Sequence, residues 1–336
     1  MTPPTGGAIP GGDVAGLVAG VHAGDRSALA RAITLVESRR TDHRDAARTL
    51  LASLPAPSEM SWRVGISGTP GAGKSTLIET LGTMLTARGH RVGVLAIDPS
   101  SVRTGGSVLG DKTRMPRLAA DPAAFIRPSP SAGTLGGVAR ATAQTIPLLE
   151  SAGYDVILVE TVGVGQSETT AASMVDTFLL LGLARSGDQL QGIKRGVLEI
   201  ADVVAINKAE GDAAPDARVA ARELAGAFRL MRGGSGDTGG WVPPVVTCSG
   251  LTGEGIDKLW EIIGRHRQSL GEAGIAAKRS AQQWALTDQL VADALLARLA
   301  GSEAVRAARA RLEPEVLAGA VTAVAAADEI LAAFDA

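Results

Sequence analysis

A chain of 336 residues that is 45% hydrophobic suffices for one large domain or two smaller ones, and its core needs no disulfides. The net charge of −2 argues against a dedicated nucleic-acid binder, and the single cysteine, Cys248, cannot close an internal disulfide, which fits a reducing compartment. No apolar run approaches the ~18 residues of a membrane span and the first residues lack the basic start and apolar stretch of a signal peptide, so the expectation is a soluble, cytoplasmic protein without a membrane partner.

Residues 1–12, rich in proline and glycine, read as disordered. Residues 13–60 read as a helical arm, with Leu17, Val21, Leu29, Ile33 and Val36 at helical spacing and Asp25 placed to cap the second helix. Pro55-Ala56-Pro57-Ser58 then reads as a linker, and nothing in the arm suggests catalysis. Over 61–270 strand-like and helix-like runs alternate, as in a mostly parallel sheet covered by helices. The expected strands lie near 62–67, 91–97, 124–127, 154–160, 177–181, 202–206 and 245–247, with a helix over 135–151 and Cys248 buried after the last strand. Gly233-Gly234-Ser235-Gly236 and Gly239-Gly240 mark an exposed loop. Residues 271–336 carry no strand pattern; the helices expected over 272–300 and 302–333 are interrupted by Gly301 and Pro314. Leu286, Leu290, Leu295 and Leu299 suggest an apolar stripe that either folds back or pairs two chains.

Gly68-Thr69-Pro70-Gly71-Ala72-Gly73-Lys74-Ser75-Thr76 lies between the first strand of the α/β region and a helix. In that context G-x-x-x-x-G-K-[ST] is a phosphate-binding loop, which makes this a P-loop NTPase fold. The backbone N–H groups wrap a phosphate, and the helix N-terminus favours its charge. Lys74 reaches the β- and γ-phosphates, and the Ser75 hydroxyl is a ligand for Mg2+.

Further segments turn this loop towards GTP. Asn207-Lys208-Ala209-Glu210 follows an apolar strand where GTPases carry N-K-x-D, whose carboxylate accepts from guanine N1 and N2. Glu210 is one methylene longer than the usual aspartate. Ser249-Gly250-Leu251 stands where an S-A-x loop offers a backbone N–H to guanine O6, with Gly250 replacing alanine. Glu160 closes an apolar strand in Glu160-Thr161-Val162-Gly163, near the expected metal, and Gly163 offers an N–H to the γ-phosphate. No glutamine directly follows Gly163; Gln166 lies three residues on. Asp98 also ends a strand and is a candidate metal ligand. Asp111 sits in a glycine-rich loop, where an aspartate ordinarily faces solvent.

Taken with Ile97-Asp98-Pro99-Ser100-Ser101, Gly105 to Met115, Val159 to Glu168 and Gly187 to Lys194, these motifs resemble the MeaB/ArgK family of GTPases, bacterial relatives of the human methylmalonic aciduria type A protein. The resemblance runs over nearly the whole chain from about Leu29. It implies a homodimer joined through C-terminal helices, which gates adenosylcobalamin delivery to methylmalonyl-CoA mutase and protects that enzyme. It assigns Lys74, Ser75, Asp98, Asp111 and Glu160 to phosphate and Mg2+, and makes the loop with Gln191 and Lys194 a switch coupling GTP or GDP to the mutase. Turnover is then expected to be slow until a partner orders the loops, since hydrolysis rests on positioning and charge. Three other readings stay open: an ArgK-like ATP-using kinase of transport proteins, a metallochaperone GTPase, and a regulatory module that holds GTP. Asn207-Lys208 speaks against the first, and four scattered histidines with one cysteine against the second.

Overall fold

The computed structural model describes residues 13–38, 40–57, 59–97, 114–128, 135–161, 166–184, 195–233 and 240–335. It divides into two compact units, one ending at Arg279 and one beginning at Ser280.

The first unit is built on strands β1 (Trp62–Gly68), β2 (Val92–Ile97), β3 (Ala124–Pro128), β4 (Val156–Thr161), β5 (Thr177–Leu183), β6 (Val203–Asn207) and β7 (Val245–Thr247). They form one sheet in the order β3-β2-β4-β1-β5-β6-β7, and every neighbouring pair is parallel. Around them run α1 (Val14–His22), α2 (Arg26–Glu37), α3 (Thr41–Ala52), α4 (Lys74–Ala87), α5 (Pro116–Ala120), α6 (Leu135–Ser151), α7 (Gln166–Ala172), α8 (Arg195–Ile200), α9 (Ala214–Gly233) and the part of α10 (Ile256–Gly301) up to Arg279. Every residue of β2 and β4 is buried. Strands covered on both faces are apolar along most of their length, which is why they appear as runs such as Val156-Ile157-Leu158-Val159, with the polar Glu160 and Thr161 only at the end of β4.

One face of the sheet is covered by α1–α3 and α6. Leu17, Val21, Leu29, Ile33 and Val36 all join a core that includes Leu149, Tyr154, Ile157 and Phe178. At about 1.5–3 kcal/mol for each large side chain fully buried, these contacts make the N-terminal helices part of the core. Asp25 caps α2, its carboxylate accepting from Ser27 N at 2.8 Å. Arg26 ties the same helix to the β3 edge by donating to Ala124 O at 2.6 Å. On the other face, Leu77, Ile78, Leu81 and Leu85 of α4 pack with Leu259, Ile262 and Ile263 of α10 over Val64, Ile66, Val94 and Leu158. The pairings Ile66↔Glu160 and Gly68↔Leu181 bring the C-terminal ends of β1, β4 and β5 to one edge. β1 separates β4, β2 and β3 on one side from β5, β6 and β7 on the other; open parallel sheets bind ligands at the carboxyl ends of strands near such a reversal.

Helical geometry in α10 is broken at Gly271 (φ 63°, ψ 171°). In the second unit the end of α10 is followed by α11 (Glu303–Leu317) and α12 (Ala323–Asp335). Ser302 caps α11 and Arg311 pairs with Glu329 of α12 at 2.5 Å. The interruption expected at Pro314 does not occur: α11 passes through it and stops at Leu317. Gly319 beyond it takes φ +73°, so that Ala320 N reaches Glu315 O at 2.8 Å and the last carbonyls are satisfied there instead. Trp284, Val291, Leu296, Leu317 and Val324 of this unit are more than half exposed in the single chain.

Candidate nucleotide site

The loop after β1 starts α4 with Gly73 at φ +84°, a conformation that disfavours any side chain. A Cβ at Gly73 would also stand 2.8 Å from Asn207 Nδ2. Lys74 folds back over this loop, Nζ donating to Gly68 O at 2.7 Å and Thr69 O at 3.3 Å. Burial pushes its pKa below the usual lysine value, the carboxylates of Glu160 and Glu168 resist that shift, and Arg114 adds to it. Ser75 Oγ donates to Glu160 Oε1 at 2.9 Å, which joins the first turn of α4 to the end of β4. Beside them opens a cleft of about 420 Å³ whose walls include Gly71, Lys74, Ser75, Arg114, Glu160 and Thr161.

Asn207 at the end of β6 couples two loops. Its Nδ2 donates to Ala72 O at 2.7 Å, and its Oδ1 accepts from Gly250 N at 2.9 Å. Lys208 follows at φ +60°, the one non-glycine residue in the left-handed region among the described residues. Such strain persists where surrounding structure enforces it, commonly at ligand sites. Glu210 holds a buried carboxylate oxygen, Oε2, with no hydrogen-bond partner. Leaving such an acceptor unmet costs on the order of 1–3 kcal/mol, more when charged, and a ligand's N–H groups would relieve it.

Ser249 is fully buried, with its Oγ accepting from Thr252 N at 3.0 Å, while Leu251 is exposed. At Gly250 a Cβ would lie 2.9 Å from the backbone N of Leu77, so the alanine usual at this place does not fit against α4. Thr80 Oγ1 donates to Gly250 O at 2.6 Å and holds the loop there. Burial and Glu210 push the Cys248 thiol up to about 12, leaving it protonated and inert at neutral pH.

The residues expected from sequence therefore meet at one edge of the sheet as far as they are described: the loop from Gly68 to Thr76, Glu160, Asn207, Lys208, Glu210 and the Ser249–Leu251 turn. Asp98, Asp111, Gly163, Gln191 and Lys194 lie outside the described residues. Gln166 opens α7. For a hard divalent cation, Ser75 and Glu160 supply two adjacent oxygens, a donor set of the right chemistry. Among the described residues no three His, Cys, Asp or Glu side chains gather into a metal cluster. Motif spacing does not point to Arg114 or to Glu168, which is buried on α7 and acts on Lys74. Their presence inside the segments Gly105–Met115 and Val159–Glu168 was the only available signal.

A family model described as "Methylmalonyl Co-A mutase-associated GTPase MeaB" matches residues 29–304. The chain is 58% identical over 319 residues to a "Probable GTPase" of Mycobacterium tuberculosis, spanning 95% of this chain and 94% of that one. It is 46% identical over 329 residues to the mouse "Methylmalonic aciduria type A homolog, mitochondrial", spanning 95% of this chain and 79% of the relative. It is 47% identical over 251 residues to the GTPase ArgK of Escherichia coli, spanning 75% of each chain. A solved structure described as an "LAO/AO transport system kinase" superposes with a TM-score of 0.73 at 33% identity, over 96% of this chain and 98% of that one.

Proposed function

The chain belongs to the MeaB family of GTPases, and from that premise we propose that it is a Mg2+-dependent G-protein chaperone of an adenosylcobalamin-dependent methylmalonyl-CoA mutase. In this reading it gates delivery of the cofactor and protects the mutase. The observation that carries the nucleotide half is Glu210 Oε2, a buried acceptor without a partner in the turn after Asn207. Guanine offers N1–H and N2–H to such a carboxylate, and adenine does not. The partner half is supported by the family's description and by the identity to the mouse methylmalonic aciduria homologue.

Hydrolysis requires water to attack the γ-phosphorus as the bond to the β,γ-bridging oxygen breaks, releasing GDP and phosphate. Lys74 brings positive charge to the phosphate loop, and α4 directs its N-terminal N–H groups to the same place. Ser75 and Glu160, with Asp98 and Asp111, are the residues that would hold Mg2+. When bound, that ion neutralises charge on the β- and γ-phosphates. No side chain acts as a nucleophile. The segment with Gln191 and Lys194 would couple nucleotide state to the mutase, and the exposed apolar residues Trp284, Val291, Leu296 and Val324 would pair two copies.

The test is GTP and ATP hydrolysis by the purified protein, with and without cobalamin-loaded mutase. Slow, GTP-selective turnover that rises with mutase is the expected result. Equal use of ATP without a response to mutase would instead favour the kinase role named for the solved relative.

A further inference from the structure

We propose that Glu79 is a positioning residue for the phosphate cleft, acting through α5 on Arg114. Glu79 lies in the second turn of α4 and belongs to none of the nucleotide motifs. Its side chain is only 8% exposed, and a carboxylate so buried is costly unless its oxygens are hydrogen-bonded. Its partners all lie at the start of α5. Oε1 accepts from Arg117 N at 2.8 Å and Arg117 Nε at 3.2 Å, and Oε2 accepts from Leu118 N at 3.1 Å. Both oxygens are thus used to cap a short helix that begins only two residues after Arg114.

A second contact locks the same helix to α4. Gly82 shares a helix face with Glu79 three residues earlier. A Cβ on Gly82 would come within 2.5 Å of Leu118 Cδ2, so Leu118, itself fully buried, seats directly against the bare backbone. Met115, between Arg114 and α5, is also fully buried in the same core. Arg114 consequently projects from a fixed base. It lines the cleft with Lys74, Ser75 and Glu160, and Glu79 is not among the lining residues. An arginine there offers a phosphate oxygen a planar, permanently charged donor, useful only when held in place. The carboxylate of Glu79 supplies the hold from the helix that also carries Lys74 and Ser75, so α4 sets both walls of the cleft.

The experiment is a double-mutant cycle on intrinsic GTP hydrolysis, measured without mutase so that its outcome is independent of the partner proposal. Arg114→Ala is expected to lower kcat by ~10–100-fold. Glu79→Ala is expected to lower kcat by ~5–10-fold with KM for GTP changed by less than about twofold, because the loss is of orientation. In the Arg114→Ala background the same Glu79 substitution should cost less than about twofold, since coupled residues are non-additive. Glu79→Gln retains an acceptor oxygen and should fall between Glu79→Ala and wild type; it carries the cycle if Glu79→Ala does not fold. Independent, multiplying effects would overturn the proposal. So would an Arg114→Ala variant with normal kcat, or a Glu79 variant whose melting temperature falls while kcat is unchanged.

Discussion

At the N-terminal edge of the sheet the carboxylates of Glu150 and Asp176 are met in full, whereas at the C-terminal edge Glu210 keeps a buried oxygen with no protein partner. Arg63 grips Glu150 with two bonds of 2.8 and 2.9 Å, and Arg279 grips Asp176 with bonds of 2.8 and 2.6 Å. Arg267 and Arg279 each donate to Ser61 O at 2.7 Å, and Lys278 donates to Asp176 O at 2.6 Å. His266 meets Thr177 Oγ1 at 2.8 Å, with Asp202 at 3.4 Å on its other nitrogen. These groups answer one another and leave little for a ligand. The opposite edge joins its elements through Asn207 and Ser75 and keeps charge facing a cleft. Charge density alone does not mark a site. The charged groups of the N-terminal edge complete one another and hold the fold, whereas Glu210 at the opposite edge is left with an unmet carboxylate oxygen.

The largest expected effect falls at the satisfied edge. Asp176→Ala strands Arg279 and Arg267, and breaking a buried pair from one side costs on the order of 3–5 kcal/mol. Denaturant unfolding should register that loss, while kcat of the folded protein stays within about twofold. Lys74→Ala should do the reverse: kcat for GTP falls by ~10²–10³, the scale for one pre-organised charge donor, with the unfolding midpoint nearly unchanged. A Lys74 variant that unfolds, or an Asp176 variant that loses only turnover, would erase the distinction between the two edges.

Glu210→Ala sharpens the contrast by removing the unmet acceptor itself. Hydrogen bonds to a charged group are worth about 1.5–3 kcal/mol, so GTP affinity should weaken by roughly 10–100-fold and ATP affinity by less than about twofold. Isothermal titration with both nucleotides reads this directly, and equal losses for the two would remove Glu210 from base reading.

The smallest effect concerns pH at the base. Burial depresses the His266 pKa, the negative charge of Asp202 resists, Lys278 adds to the depression and Asp176 opposes it. Because the folded value lies below the unfolded one, the unfolded chain takes up the proton first as pH falls. The ring's contribution is complete above about pH 6.5, is lost on acidification from there down through the folded pKa, and does not change further below it. The urea midpoint should drop between about pH 7.5 and 5.5, and His266→Gln should flatten that drop.

Much of this was legible in the chain. The phosphate loop is a local pattern, since Gly73, Lys74 and Ser75 are set by a turn and the helix it opens. The buried strands β2 and β4 show as unbroken apolar runs, and Asp25 announced the start of α2. Pro314 misled because a helix end is decided by where its last carbonyls find donors, here around Gly319. The replacement of alanine by Gly250 had no visible reason until the backbone of Leu77 stood against it.

The sequence by itself determined that a phosphate-loop motif, an Asn207-Lys208 turn after an apolar strand and a strand-end carboxylate exist and that parallel strands carry them, because each depends on neighbours within a few residues. Only the tertiary structure decided which groups act together. Ser75 and Glu160 meet across 85 residues, Asn207 and Ala72 across 135, and Glu79 and Arg117 across 38. The same folding satisfied Asp176 with arginines from α10 and left Glu210 with a bare oxygen. Whether a buried charge is answered depends on what the fold packs beside it, and residue order specifies that only through the completed core.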